Sequence, residues 1–285
     1  MTTAADARPS VLFVCTHNSA RSQLAEGLLR DRHGDRFEAF SAGTVARGVH
    51  PLAADALREV DIDPSGQTSK TIDELGDRTF DVVVTVCDSA REACPYLPAR
   101  IRNVHRAFRD PSAVEGSEAE RRAAFAAVRD EIGAWLDAAF GRPEPATSAD
   151  WPALRDLLSA SDLPTRDLSA SDAGRFLVLR AGNAVVGCVA VEPYGDAGLL
   201  RSLAVAPELR GLGLGDRLVD AAEATARTGG LGSLVLLTTT AAGFFQARGY
   251  APLDRADAPP AIRQSSEFTA TCPASAACLG KALSP

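Results

Sequence analysis

The sequence predicts an α/β protein in two domains. An N-terminal doubly wound parallel sheet spans residues 1–140, and a C-terminal α+β domain spans 151–285, joined by a linker at 141–150. Two observations carry this. Up to residue 140, apolar strand patterns alternate with helix patterns, the order of a parallel sheet with ligands at the carboxyl ends of its strands. After Arg175, three strand patterns follow one another before a glycine-rich turn enters a helix. A chain of 285 residues is comfortable as two cores, and "GRPEPATSAD" between the halves is rich in Pro, Ala, Ser and Thr.

The elements follow in order. "SVLFVC" is short, β-branched and aromatic, as a buried strand should be. "SQLAEGLLRDRHG" is a helix closed by glycine, "FEAFSAG" a second strand, and "PLAADALREV" a helix opened by proline. "FDVVVTVC" is apolar almost throughout, fitting the centre of a parallel sheet. The long helix "SEAERRAAFAAVRDEIGAWLDAAF" begins with the Ser-x-x-Glu pattern of a capping box. In the second half "WPALRDLLSAS" is a helix, and "RFLVLR", "AVVGCVAVEPY" and "GLLRSLAVAP" are strands, the first two joined by the turn "AGN". "ELRGLGLGDRLVDAAEATARTGG" is a turn and helix, "LGSLVLLTTT" a strand, and "AAGFFQARGY" a short helix stopped by glycine.

Composition bounds the function. The net charge is −7 and acids outnumber bases in both halves, which argues against a nucleic-acid surface. The N-terminus lacks an apolar signal core, and no window approaches the roughly 18 apolar residues of a membrane span. A soluble, cytoplasmic protein is expected, with no membrane partner. In that setting its six cysteines are thiols with redox uses rather than a disulfide framework.

Cys15 stands at a strand end, six positions before Arg21, where a helix begins. The backbone amides of Thr16, His17, Asn18, Ser19, Ala20, Arg21 and Ser22 can curl around one point there, with the helix N-terminus behind them. Arg21 adds a forked cation suited to a tetrahedral oxyanion. The same field favours a thiolate. Ser22 can hydrogen-bond the sulfur, and Asn18 tolerates the backbone such a loop demands. These features describe a cysteine nucleophile aimed at phosphate or a phosphate analogue; the plainer alternative is a buried cysteine near a surface arginine. Asp110, in "RDPS", can protonate a leaving oxygen. Cys87 and Cys94, in "VTVCDSAREACP", have no hydrolytic task and fit thiol–disulfide exchange.

With "CTHNSARSQLAEG", "SAG", "VDID", "TSK", "VVVTVCDSAREACP", "RDP" and "VRDEI", the stretch from Val11 to Phe140 resembles the thioredoxin-coupled arsenate reductases, which share the low-molecular-weight tyrosine phosphatase fold. The resemblance implies that Cys15 attacks arsenate, Asp110 protonates the departing hydroxide, and Cys87 attacks Cys15 to release arsenite. Cys94 then takes Cys87, leaving a disulfide for thioredoxin. The segment carrying Cys87 and Cys94 would have to move to expose Cys94. His17 stands where many relatives have glycine. Some relatives bind potassium with Asn, Glu, Ser and Asp; Asn18, Glu26 and Ser41 match, but Lys70 stands at the aspartate position. The Lys70 ammonium then replaces the ion beside Glu26, or is a solvated surface group. No metal is expected.

"LAVAPELRGLGLGDRL" places a glycine turn after a strand and before a helix, suited to close approach of a pyrophosphate. No Gly-Lys-Ser/Thr follows, so it is not a Walker loop. With "FFQARGY" behind it, the stretch from Trp151 to Leu283 resembles the GNAT acetyltransferases, within them those of arsenic-resistance operons, through "GCVAVEPYGDAGLLRSLAVAP", "LLTTTAAGFFQARGY" and "APPAIRQSSEFTATCPASAAC". The resemblance implies acetyl-CoA bound by Leu203, Ala204, Val205, Arg210, Gly211, Leu212, Gly213, Leu214 and Gly215, and a small-molecule amine as acetyl acceptor. Many GNAT enzymes carry a proton-donating tyrosine four residues before the glycine of the short helix. Here, counted back from Gly249, that position is Phe245. Glu192 and Tyr194 are candidate substrate contacts or ordinary surface residues. Cys272 and Cys278 are a candidate arsenite pair or, with Cys188, small buried apolar groups.

The expectation is a fused enzyme of arsenic detoxification. Its rival is a phosphatase with a CoA- or arsenite-sensing second domain, against which stand the extra cysteines and the absence of an aromatic after Asp110.

Overall fold

The computed structural model describes residues 8–87 and 97–284. The chain divides into two compact units, Met1–Phe140 and Gly141–Pro285.

The first unit holds a four-stranded parallel sheet in the order β2-β1-β3-β4. Its strands are β1 (Ser10–Cys15), β2 (Glu38–Gly43), β3 (Phe80–Thr85) and β4 (Ala99–His105). β1 is buried at all six positions, which is why its sequence does not alternate. Its register sets Cys15 beside Gly43. Past the end of β3, Val86 still donates to Val14 O at 2.9 Å, carrying Cys87 to the same sheet edge. β4 is the element the sequence reading leaves unassigned. It is an edge strand with Ile101 63% exposed between Arg100 and Arg102, so it shows neither a buried run nor a clean apolar face.

Helices α1 (Arg21–His33), α2 (Pro51–Arg58) and α3 (Glu118–Phe140) complete the unit. α3 buries Phe125, Val128, Ile132, Trp135 and Leu136, which recur with the helix period on one face. Its capping box is formed: Ser117 N and Oγ donate to the Glu120 carboxylate at 2.8 Å, and Glu120 N donates back to Ser117 Oγ at 3.3 Å. Phe108, Trp135 and Phe140 meet edge to face at 6.0 and 5.9 Å.

Gly43 ends β2 under the loop that follows β1. A Cβ there would lie 2.7 Å from Asn18 N and Val45 O and 2.9 Å from Thr16 O, all backbone atoms. Gly43→Ala is therefore expected to cost about 1–3 kcal/mol in chemical denaturation. Gly66→Ala, whose Cβ meets nothing within 4 Å, serves as control. Equal stabilities of the two variants would contradict this packing.

The second unit holds a seven-stranded mixed sheet, order β10-β11-β9-β8-β7-β6-β5. Its strands are β5 (Glu144–Pro145), β6 (Phe176–Ala181), β7 (Ala184–Tyr194), β8 (Ala197–Val205), β9 (Ser233–Thr238), β10 (Ala251–Pro252) and β11 (Ala277–Ala282). All pairs are antiparallel except β8 with β9. Helices α4 (Trp151–Ala160), α5 (Leu214–Thr228), α6 (Ala242–Ala247) and the single turn α7 (Pro260–Arg263) join them.

Much of the stretch expected as a linker belongs to this unit. Glu144 and Pro145 pair with Val178 and Leu177, Ala146 is buried, and Arg180 grips both Glu144 and Asp150. Arg180, together with the Thr147 amide, holds the Asp150 carboxyl down at about 2. Proline is compatible with an edge strand, so a linker-like composition also describes this edge. No element is expected after Tyr250, yet β11 lies between β10 and β9. Its "ACLGKA" has no strong local pattern and is held by pairing with a strand some 40 residues away.

Candidate functional site

The Cys15 loop turns its carbonyls outward. Thr16 O accepts from Val45 N and Thr44 Oγ1, His17 O from Arg47 N, Asn18 O from Gln23 Nε2, Ser19 O from His50 N and Ala20 O from Leu24 N. The amides of His17, Ser19, Ala20 and Arg21 have no acceptor among the described residues. Such a loop is an anion nest at the start of α1. Its curvature needs Asn18 in the left-handed region, at φ +44°.

Asn18 is fully buried and organises the sulfur's surroundings. Its own amide donates to Cys15 Sγ at 3.1 Å. Its Nδ2 donates to Ser22 Oγ at 3.0 Å and to Ser41 Oγ at 2.8 Å, and its Oδ1 accepts from Gln23 Nε2 and Lys70 N. Ser22 Oγ, already accepting from Asn18, lies 2.9 Å from Cys15 Sγ with its proton free to point there. Ser41 in turn donates to Glu26, which Arg30 also grips. Lys70 Nζ stands 3.9 Å from the Glu26 carboxylate and donates to Thr68 O at 3.0 Å.

Arg21 donates to Asp110 Oδ2 at 2.7 Å and to Phe108 O at 3.1 Å, while Asp110 Oδ1 accepts from Ser112 N. Cys15, His17, Ser19, Ala20, Arg21 and Asp110 share one open cavity of about 470 Å³, with Arg47 and His50 at its rim. Cys87 is buried, its Sγ 3.6 Å from Thr16 Oγ1, so a side chain of the loop links the two cysteines' surroundings. Cys94 lies outside the described residues.

In the second unit, β8 and β9 pair only over Ala197–Leu199 and Ser233–Val235, then part. A cavity of about 620 Å³ opens there, lined by Leu200–Leu203 and Leu236–Ala241, with Phe245, Glu267 and Cys272. On β7, two steps from Cys188 to Ala190 face three on β8, from Ala204 to Arg201. That extra residue is a bulge, with Ser202 at φ +57°, and it re-aims the backbone of β8 beside the cavity. Of the residues expected to bind acetyl-CoA, Leu203 lines this wall. Ala204 and Val205 continue the strand, and Arg210 Nε donates to Val205 O at 3.1 Å. Gly211 and Gly213 adopt φ of +78° and +72°, and Gly213 precedes α5. Leu214 is buried and Gly215 packs toward Phe244, so both seat the helix start. Among the described residues, no group of three or more His, Cys, Asp or Glu is arranged to hold a metal ion.

The cavity rests on a charged cluster. Arg201, 2% exposed in its side chain, meets Asp167 at 2.7 and 3.1 Å, Glu192 at 3.0 Å and Glu267 at 2.9 Å. Tyr194 donates to Glu192 at 2.9 Å, so these two candidate contacts belong to the cluster rather than to the cavity wall. Cys272 donates to Glu267 Oε1 at 3.1 Å, and burial together with that carboxylate pushes its thiol up to about 12. Cys188 is likewise pushed to about 12 by burial, and Cys278 sits in an apolar cluster with Ala197, Leu199, Val235 and Ile262. Phe245 is buried edge to face against Phe244 and Tyr250.

Residues 10–141 match the family profile described as low molecular weight phosphotyrosine protein phosphatase. The arsenate reductase of Halalkalibacterium halodurans is 46% identical over 123 residues, 43% of this chain and 88% of the relative. Through its first unit, the chain belongs to the arsenate reductase family. The arsenate reductase of Bacillus subtilis is 45% identical over 123 residues, with the same coverage. A solved structure described as an arsenate reductase in the phosphate binding state is 29% identical, with a TM-score of 0.36, covering 45% of this chain and 93% of that one. Residues 172–252 match the acetyltransferase (GNAT) domain profile.

Around the reductase site, sequence reasoning missed Arg47, His50 and the Thr16 contact to Cys87. In the acetyltransferase unit it missed Arg201 and Glu267. Arg201 did leave a signal, as a charge inside the apolar strand "GLLRSLAV".

Proposed function

We propose that the first unit, residues 1–140, reduces arsenate to arsenite through Cys15, Cys87 and Cys94, and that the second, residues 151–285, is an acetyl-CoA-dependent N-acetyltransferase. The observation that carries the first part is the loop whose unpaired amides belong to residues lining one cavity with Cys15, beside the Arg21–Asp110 pair at 2.7 Å. Cys15 attacks arsenic and a hydroxide leaves, protonated by Asp110. Cys87 attacks the Cys15 sulfur, the S–As bond breaks, and its electron pair reduces arsenic(V) to arsenic(III). The resulting Cys15–Cys87 disulfide is exchanged by Cys94, and thioredoxin reduces the Cys87–Cys94 pair. Thioredoxin places the reaction in a reducing cytoplasm.

In the second unit the parted strands β8 and β9 and the turn from Arg210 to Gly215 fit an extended thioester cofactor with a pyrophosphate near the start of α5. Acetyl-CoA supplies an activated acetyl group when bound there. Phe245 offers no proton at the position where many acetyltransferases keep tyrosine. The acceptor is a small amine.

Disulfide mapping by mass spectrometry after one arsenate turnover without thioredoxin tests the relay. Wild type is expected to hold the 87–94 disulfide, and Cys94→Ser the 15–87 disulfide. A reduced Cys87 in both, with arsenite formed, would remove the relay.

A further inference from the structure

Two side chains at the oxyanion cavity have no part in the reaction above. The segment between β2 and α2 is stitched to the Cys15 loop through Val45, Arg47 and His50, whose amides donate at 2.9, 3.2 and 2.9 Å to Thr16, His17 and Ser19. This brings Arg47 and His50 into the lining of the cavity that holds Cys15, Arg21 and Asp110.

The charges of that cavity explain why more is needed. Arg21 is matched by Asp110 at 2.7 Å. With Cys15 as the attacking thiolate and Asp110 carrying the proton it donates, these three side chains sum to zero, and a dianionic arsenate adds two negative charges. Arg47 is exposed, and its guanidinium has no hydrogen bond or ion pair among the described residues. It is a cation at the cavity that no anion among the described residues has claimed.

His50 is fixed differently. Its Nδ1 accepts from Leu52 N at 3.1 Å as the N-cap of α2. The neutral ring therefore carries its proton on Nε2. The ring stacks on Phe125 at 4.6 Å and 26°, which sets its plane. Burial and the nearby Arg121 lower its pKa against an opposite pull from Asp110, so the ring stays neutral at pH 7. Nε2–H has no acceptor among the described residues.

We propose that Arg47 and His50 form a second wall of the oxyanion site. Arg47 supplies the charge that balances a dianionic arsenate, and His50 donates Nε2–H to one of its outer oxygens. Neither makes or breaks a bond, so both act on binding. The inference rests on the first unit being an arsenate reductase, but its anion-binding part can be read separately with inorganic phosphate as the probe.

The experiment is calorimetric titration of the full chain with inorganic phosphate, together with arsenate kinetics, on Arg47→Gln, His50→Asn and His50→Ala. Asparagine keeps an acceptor for the Leu52 amide but lacks Nε2. Arg47→Gln and His50→Asn are each expected to weaken phosphate binding about ten-fold and to raise the arsenate KM by a similar factor. The loss should fall on KM far more than on kcat. The Tm of His50→Asn should stay within about 2 °C of wild type, with His50→Ala lower. Phosphate affinity and KM within about two-fold of wild type in both variants would overturn the proposal. An effect in one variant alone would strike the other residue from the wall. Weakened phosphate binding in a protein that never reduces arsenate would keep the wall and overturn the reductase reading instead.

Discussion

Cys15→Ser is expected to abolish arsenate reduction, by a factor on the order of 10⁴ or more, because among the described residues Cys15 is the only thiol lining the oxyanion cavity. The loss should be chemical rather than structural. Serine keeps a polar atom for the Asn18 amide at 3.1 Å and the Ser22 hydroxyl at 2.9 Å, so both donors remain satisfied. Chemical denaturation should therefore place the variant within about 1 kcal/mol of wild type. Residual turnover within ten-fold of wild type would mean that another thiol starts the reaction.

The second large effect lies in the acetyltransferase unit. Arg201→Met should destabilise it by about 3–5 kcal/mol, since it leaves Asp167, Glu192 and Glu267 buried without their shared cation. The pH dependence follows from the sign of the shifts. In wild type, burial raises the Asp167 pKa, but hydrogen bonds from Arg201 and Ser266 outweigh it and leave the group below its ordinary value. Its stabilising contribution is thus present above the unfolded pKa, near 4, and fades as pH falls. Without Arg201 the burial of Asp167 is no longer outweighed by its main hydrogen-bond donor, its carboxyl pKa rises, and acid relieves the variant. The deficit measured by denaturation should be largest at pH 7 and smaller near pH 5. A deficit below about 1 kcal/mol at pH 7 would show that the cluster is solvated rather than buried.

The two sites differed in how much of them could be read before the fold was known. Cys15 and Arg21 are six residues apart, and their roles depend on one local turn, so the motif conveyed them. Arg47 and His50, which approach the loop through backbone hydrogen bonds, become its neighbours only when β2 lies beside β1. The same holds for Arg201, whose partners come from a loop, β7 and the π-helical turn Glu267–Thr271. Buried strands such as β1 and the N-terminal part of β3 announced themselves by composition. The edge strands β4 and β5 did not, because their residues face solvent and their pairing is non-local. Residues 144–150 carry the same lesson: proline and serine marked an irregular stretch, but not the Arg180 that ties it to the second sheet.

The most direct measurement is NADPH oxidation by the full chain with thioredoxin and thioredoxin reductase, followed with and without arsenate. The account predicts arsenate-dependent oxidation, one NADPH for each arsenite formed. No oxidation in the presence of arsenate, with hydrolysis of phosphate monoesters at the Cys15 site instead, would contradict it.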